Sequence, residues 1–511
     1  MPEADPVRYR FGPLERRGLV AGWRTGQVLT VAAGLVVAVG FLRTLPTAPG
    51  LAVAVLVVGV SVAASTWPIG GRTVEEWAPD VLRHGRSVLR GRRWVSPARP
   101  TGPTRSTGPF RERTPGQAGA RPRGNDPRRR ADRGPFGGIR ILEIESGLRS
   151  AAVAGTGGSS TRTELGGIAV IQDAVERTLT AVMPAGASGF VLAGSAERER
   201  RVAGWASALA GFARQGTPVR RVQWLARTLP GSGSGDIRVE SGSSAARPVF
   251  GHAGKAASSY EELVATTTPG MARHQVFVAV SVKSAGGAGG VLVRELAAFR
   301  RRLSDADVDS ALPLSPRALA SVMRTGFSRS LWNRSGESGT GWPWPVATEV
   351  LWDSLRTDAV WQATYWISEW PRTEVGTDFL APLLLAGDIR QSVSVVMEPM
   401  SPLEATRRAQ QARTADVADA QLRQRGGFLR TARRRREEET VAGREVELAD
   451  GHAPFRFAGY VTVSAMVRDE LEESCGRLEQ AAGRSGMELR RCFGNQQKAF
   501  TFTLPLCRGL S

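Results

Sequence analysis

The residues that could carry out chemistry are few and scattered. Four histidines and three cysteines occur in 511 residues, and the cysteines all lie late in the chain. This number and spacing do not suit a metal site or a histidine-based triad. The acid pairs Glu261/Glu262 and Glu472/Glu473 fall on predicted helices, where a solvated face is the usual explanation. We therefore expect no catalytic centre, no metal site and no cofactor.

Glycine-rich segments do not complete a nucleotide-binding motif. GSGSGD at 231–236 follows a predicted strand, but no clear helix begins after it and its third glycine is misplaced for a dinucleotide loop. GHAGKA at 251–256 has the wrong spacing for a phosphate loop, and G-x-x-x-x-G-K-[ST] occurs nowhere in the sequence. These patterns predict a protein that is not an enzyme.

Two uncharged stretches near the N-terminus predict a transmembrane hairpin at 25–70. Eighteen residues between Arg24 and Arg43 carry no charge, and the second stretch has its apolar part at 51–67. Eighteen helical residues span roughly 27 Å, close to the hydrocarbon core of about 30 Å. A signal peptide fits poorly because the polar lead is long and a second span follows at once. Buried core helices are the alternative, although both stretches are apolar on every face.

Basic residues flank this hairpin on one side. Arginines precede the first span within the basic segment 1–24 and follow the second span from Arg72 onward, whereas the connecting loop holds only Arg43. The positive-inside rule therefore predicts an inner-membrane protein with both termini in the cytoplasm. Aromatic and basic side chains at span ends bind membrane lipid. The predicted anchoring residues are Trp23, Arg24, Arg43, Trp67 and Arg72.

The chain is strongly basic, and its positive charge is almost entirely arginine. The net charge is +20, and only three of the 68 basic residues are lysines. Residues 71–95 predict an amphipathic juxtamembrane helix that lies on anionic lipid or, alternatively, packs on the soluble part. Residues 96–138 are rich in Arg, Pro and Gly with almost no aliphatic residues, which predicts a disordered tether. Its arginines could also bind nucleic acid.

From residue 139 onward the pattern is that of an α+β body. We predict ferredoxin-like split βαβ units with antiparallel sheets, in two subdomains at 139–330 and 331–511. The second subdomain contains a long helical insertion at 402–450. The helix–strand layouts of 196–228 and 469–493 are alike, but no residue-level repeat proves a duplication. The predicted strands are 139–144, 167–183 with a turn at Asp173, 189–194, 219–229, 274–282, 349–356, 359–370, 389–397, 455–467 and 487–493.

Two features of this body could bind a partner. Arginines outnumber acids in the first part of the insertion, so its face could meet an acidic partner or a phosphate backbone. The candidate interface arginines are Arg407, Arg408, Arg413 and Arg430. Seven tryptophans occur between 332 and 370, where aromatic residues usually form a core. Trp342 and Trp344 lie in a Pro/Gly stretch and would be interface anchors if exposed.

The order of these parts resembles a known family. YRFGPLERRG, the two-span hairpin and GRTVEEWAPDVLRH are similar to the PrgI family of small membrane proteins in conjugative type IV secretion systems. The polar helices closing with REVELADGH, the run 461–484 and the ending GNQQKAFTFTLPLCRGL resemble the N-terminal, non-motor part of the VirB-type secretion ATPase. Actinobacterial chains that fuse both parts are the nearest likeness.

That resemblance implies a non-catalytic membrane scaffold of a type IV-like secretion or conjugative transfer apparatus. Because the phosphate loop is missing, the scaffold would dock a separately encoded VirB-type ATPase and other secretion components, or copies of itself. A membrane-tethered nucleic-acid-binding protein of a DNA transfer system is the alternative.

Overall fold

The computed structural model describes two helices near the N-terminus and most of the body. The described residues are 11, 25–44, 46–66, 77–78, 80–82, 84–85, 136, 138–144, 167–186, 193–230, 272–327, 344–345, 347–386, 389–425 and 453–510. Several predicted segments lie mostly outside this set: the basic segment 1–24 apart from Phe11, most of 71–95, the strand residues 189–192 and the insertion beyond 425. Of the predicted tether 96–138, only Phe136 and Gly138 are described, and Phe136 packs in the core of the body.

Helices α1 (Thr25–Thr44) and α2 (Ala48–Thr66) form an antiparallel pair joined by a short loop. Neither helix contains an acidic residue, and Arg43 is the only basic one. Their mean hydropathies of 1.7 and 2.1, over 19 and 18 residues, make both long and apolar enough to cross a membrane.

The body is built on one twelve-stranded sheet in which every pair of neighbouring strands is antiparallel. The strands are β1 (Ile139–Ile144), β2 (Ile168–Asp173), β3 (Thr178–Gly186), β4 (Val219–Pro230), β5 (Ala272–Lys283), β6 (Asp309–Ser310), β7 (Thr348–Val350), β8 (Leu355–Thr357), β9 (Val360–Glu369), β10 (Gln391–Pro399), β11 (Phe455–Ala465) and β12 (Glu488–Arg491). Their order is β1-β2-β3-β5-β4-β10-β11-β9-β8-β7, with β6 on β3 and β12 on β9.

Helices cover both faces of this sheet. They are α3 (Ser195–Ala210), α4 (Ala288–Asp305), α5 (Pro316–Thr325), α6 (Ala381–Leu384), α7 (Pro402–Arg425), α8 (Arg468–Arg484) and α9 (Gln496–Phe500). Alternate strand residues point to opposite faces, so one face packs on α3, α4, α6 and α8 and the other on α5, α9 and the C-terminal residues. Leu292, Leu296 and Phe299 of α4 are fully buried against the first face.

The two halves of the body have the same order of elements, apart from helix α7 in the second half. The first runs β1-β2-β3-α3-β4-β5-α4-β6-α5, and the second runs β7-β8-β9-α6-β10-α7-β11-α8-β12-α9. β4 and β10 pair antiparallel at the centre of the sheet. From each edge inward, the order is the first, second, third, fifth and fourth strand of that half. The segments 231–271 and 400–454 occupy equivalent places, each between the fourth and fifth strands of its half. The halves are therefore related by a pseudo-twofold arrangement.

Two features of the body differ from the sequence expectations. The single strand predicted at 349–356 is two short strands, because Leu351 N–H bonds to Ser354 C=O at 2.9 Å and turns the chain. Helix α5 was not predicted, although its start has a clear signal. Ser315 precedes Pro316 in the first turn, and the Ser315 hydroxyl accepts a bond from Ala318 N–H at 3.3 Å.

Candidate membrane anchor and interaction surfaces

The packing between α1 and α2 depends on small residues. A Cβ placed on Gly34 would lie 2.0 Å from Ser61 Oγ, so the two helices meet where α1 has no side chain. Ala38 and Ala54 are buried in the same seam. Gln27 Nε2 donates across the pair to Ser65 C=O at 2.7 Å. Close approach through small residues with an interhelical hydrogen bond is typical of membrane helices.

The outer surface of the hairpin is apolar and uncovered. Val36 is 69% exposed and Leu56 is 65% exposed, and only 11% and 17% of the two apolar windows are buried. A surface of this kind is too large and too apolar for contact with water. This exposure favours association with a membrane over burial as core helices. Arg43, in the last turn of α1, is exposed, whereas Trp23, Arg24, Trp67 and Arg72 lie outside the described residues.

Trp344 is a core residue, which corrects the expectation that it anchors an interface. It is 8% exposed, and its ring centroid lies 5.2 Å from that of Phe136 and 6.4 Å from that of Phe327. Phe136 is separated from Trp344 by more than 200 residues, so the local Pro/Gly sequence did not reveal this contact. Trp342 lies outside the described residues.

Helix α7 carries three of the four candidate arginines. Ser401 Oγ accepts a bond from Glu404 N–H at 3.3 Å at its start, and Ala405 is buried against the body. Arg407, Arg408 and Arg413 are all exposed, and Arg408 bonds to Glu404 at 2.7 Å across one turn. These arginines therefore form a solvent-facing basic surface, separate from Trp344. Arg430 lies outside the described residues.

The C-terminal strap, residues 496–510, closes the second face of the sheet through buried polar contacts. Gln223 on β4 donates to Ser394 Oγ and to two strap carbonyls at 2.7–3.0 Å, and its Oε1 accepts from Cys507 N–H at 2.7 Å. Arg508 bonds to the buried Asp173 at 2.6 Å. Gln496 pairs with the backbone of Thr364 on β9. The strap thus joins both halves of the body.

Two buried arginines hold the C-terminal end of α5 against the sheet. Arg227 donates to Val322 C=O at 2.6 Å, and Arg390 donates to Thr325 C=O at 2.6 Å. Cations are favourable at a helix C-terminus, where carbonyl groups lack helical partners. Burial lowers the pKa of Arg227 to about 10, and burial together with the adjacent Arg227 charge lowers the pKa of Arg390 to about 8. These contacts have a structural explanation within the chain.

The three thiols are buried and poorly placed for nucleophilic chemistry. Burial raises the pKa of Cys507 to about 12, and burial also raises the pKa of Cys475. Both thiols are therefore protonated at neutral pH and are weak nucleophiles. Within the described part of the chain, no group of His, Cys, Asp and Glu side chains could hold a metal ion.

Comparison with known proteins gives no relative from which a role could be transferred. No protein-family model matches the chain, and no curated protein matches it.

Proposed function

We propose that this chain is a non-catalytic scaffold component of a type IV-like secretion or conjugative transfer apparatus in the inner membrane. The observation that carries the proposal is the uncovered apolar hairpin, followed in the same chain by a large α+β body. In this proposal the hairpin anchors the body in the bilayer. The body then presents surfaces to other components, as the resemblance to the PrgI and VirB-type families implies.

The arginine distribution supports a cytoplasmic body. Arginines lie on the two outer flanks of the hairpin, and Arg43 alone lies near its connecting loop. A reporter fused to the C-terminal end should therefore be active only in its cytoplasmic form, and a tag inserted at Thr47 should be accessible from outside the cell. The opposite labelling pattern would refute the proposed orientation.

We infer that each half of the body is a ferredoxin-like unit with one additional hairpin edge. The support is the path β3-α3-β4-β5-α4-β6 with sheet order β4-β5-β3-β6, and its equivalent β9-α6-β10-β11-α8-β12 with order β10-β11-β9-β12. Both are split βαβ arrangements with helices on one face. Such units supply surfaces for assembly without requiring a catalytic pocket.

The exposed arginines of α7 are the proposed contact with a separate ATPase. Long-range charge steers association, so reversing Arg407 and Arg408 to glutamate should slow binding of the ATPase, and the effect should diminish as salt increases. The matched control reverses Arg294, an exposed arginine on α4 in the first half of the body. An unchanged association rate in the α7 variant would remove this surface from the proposal.

The second candidate is a membrane-tethered nucleic-acid-binding protein. It is favoured by the same exposed arginines and by the net charge of +20. Binding through phosphate contacts loses affinity steeply between about 50 and 200 mM salt, whereas a packed protein interface changes little. Titration of the full chain in detergent with single- and double-stranded DNA at both salt concentrations distinguishes the two functions. Tight, salt-sensitive DNA binding that needs Arg407 and Arg413 would favour this second function.

A further inference from the structure

The segment 77–85, of which residues 77–78, 80–82 and 84–85 are described as helical, contacts the body through aromatic rings. Trp77 stacks on Trp352 with ring centroids 5.7 Å apart and 21° between the planes, and lies 5.8 Å from Phe493. His84 also contacts Trp352, with the two ring centroids 5.2 Å apart in an edge-to-face arrangement. Trp77 and His84 are seven residues apart and so share one helix face. That face is the one that packs on the body.

The receiving site is shaped by a glycine. Trp352 lies in the turn between β7 and β8, and Gly494 N–H bonds to its carbonyl at 2.7 Å. A Cβ on Gly494 would lie 2.6 Å from the Trp352 ring and 3.2 Å from Asp80 Cβ, and Gly494 has a φ of +69°. A residue other than glycine would be strained here and would displace the ring. The close approach of Asp80 to Gly494 depends on this free space.

Leu82 lies on the side of this helical segment that faces away from the body, because it is five residues, or about 140°, from Trp77. Its side chain is 61% exposed. Ten residues separate Trp77 from the end of α2, a distance of at most about 38 Å when fully extended. With α2 anchored in a bilayer, Trp77 therefore lies within that distance of the end of α2.

A second aromatic contact lies on the other flank of the hairpin. Phe11, fourteen residues before α1, stacks on Trp370 at 5.4 Å and lies 5.1 Å from Phe379. Phe457 completes this site, 6.5 Å from Phe11. A Cβ on Gly459 would lie 2.8 Å from the Trp370 ring, so that glycine makes room for it. Both contacts are on the second half of the body.

We propose that residues 77–85 clamp the second half of the body to the membrane surface, with Trp77 and His84 seated on the Trp352–Phe493 site while Leu82 enters the lipid interface. Phe11 provides a second attachment on the opposite flank. The body is then held against the bilayer. Trp77 and His84 before segment 86–135 and Phe136 after it all contact the body. This inference does not depend on a role in secretion.

Photocrosslinking of the full chain in phosphatidylcholine and phosphatidylglycerol vesicles tests whether position 77 contacts the body and whether position 82 contacts lipid. A photoreactive phenylalanine analogue at position 77 should crosslink within the chain to peptides containing Trp352 or Phe493, and the same analogue at position 82 should crosslink to lipid. The analogue at Val175, a residue 71% exposed on the first half, is the matched control and should give neither product.

Two variants separate docking from folding. Trp352→Ala should lower the crosslink from position 77 about tenfold, the factor that corresponds to about 1.4 kcal/mol of lost docking free energy. Gly494→Ala should do the same, with circular dichroism showing that the body remains folded. If position 77 crosslinks to lipid, or if its product joins two chains, the proposed seat within one chain is wrong. Protein crosslinks from position 82 would exclude the lipid-facing assignment.

Discussion

Replacing Gln223 with leucine removes the side chain that holds the C-terminal strap to the centre of the sheet. Gln223 is fully buried, and its amide bonds to Ser394 Oγ, to the carbonyls of Phe502 and Leu504, and to Cys507 N–H. Leucine has a similar volume, so the change creates little cavity but leaves Phe502 C=O and Cys507 N–H without the bonds that Gln223 supplies. Leu504 C=O still accepts from Leu506 N–H at 2.7 Å. Each buried polar group left unsatisfied costs about 1–3 kcal/mol, so with two such groups we expect a loss of about 2–6 kcal/mol.

The assay is thermal unfolding of the full chain in detergent, followed by tryptophan fluorescence. At roughly 2 °C per kcal/mol for large domains, the melting temperature should fall by about 4–12 °C. Hydrogen exchange of residues 496–510 should accelerate before the rest of the sheet, because local opening is sufficient to free the strap. The matched control is Gln172→Leu at a half-buried position on β2, which should shift the melting temperature by no more than about 1–2 °C. An equal melting temperature for Gln223→Leu and the native protein would show that Gln223 does not hold the strap to the sheet.

Three further predictions concern packing and charge. Gly34→Val should push α1 away from α2 and lower the melting temperature in detergent, whereas Gly40→Val should not, because a Cβ at Gly40 meets nothing within 4 Å. Trp344→Ala should destabilise the body by about 3–5 kcal/mol in urea unfolding; a change below about 1 kcal/mol would show that Trp344 is not core. Glu472 accepts two bonds from Arg491 at 2.8 Å, and these lower the pKa of its carboxyl group. The stability from this pair is present above the unfolded pKa and is lost as pH falls through the lower folded pKa. Glu472→Gln should therefore flatten the acid side of the stability profile, by at most about 1 kcal/mol because the carboxylate is half-exposed. An unchanged profile would show that the pair contributes nothing.

Patterns within short stretches predicted much of this fold. The charge-free runs predicted α1 and α2, and the apolar stretches between turn residues predicted the long strands β4, β5, β9, β10 and β11. What the sequence did not reveal depends on contacts distant along the chain. Gln223 meets Cys507 across 284 residues, and Trp344 meets Phe136 across more than 200 residues. For residues 71–95 the sequence left two alternatives, a helix on the lipid surface or a helix packed on the soluble part. An amphipathic segment does not show which surface its aromatic face will contact, so the docking of Trp77 on Trp352 could not be predicted. The duplication is visible in the topology and not in residue identities.

The most direct test of the scaffold proposal is purification of the tagged full chain from native membranes at low salt. The proposal predicts that a separate polypeptide with a Walker A motif co-purifies and supplies all magnesium-dependent ATP hydrolysis. It also predicts that the Arg407→Glu and Arg408→Glu double variant, folded and inserted normally, recovers several-fold less of it. ATP hydrolysis by the chain itself would contradict the proposal, as would recovery without any ATPase under conditions that keep the membrane assembly intact.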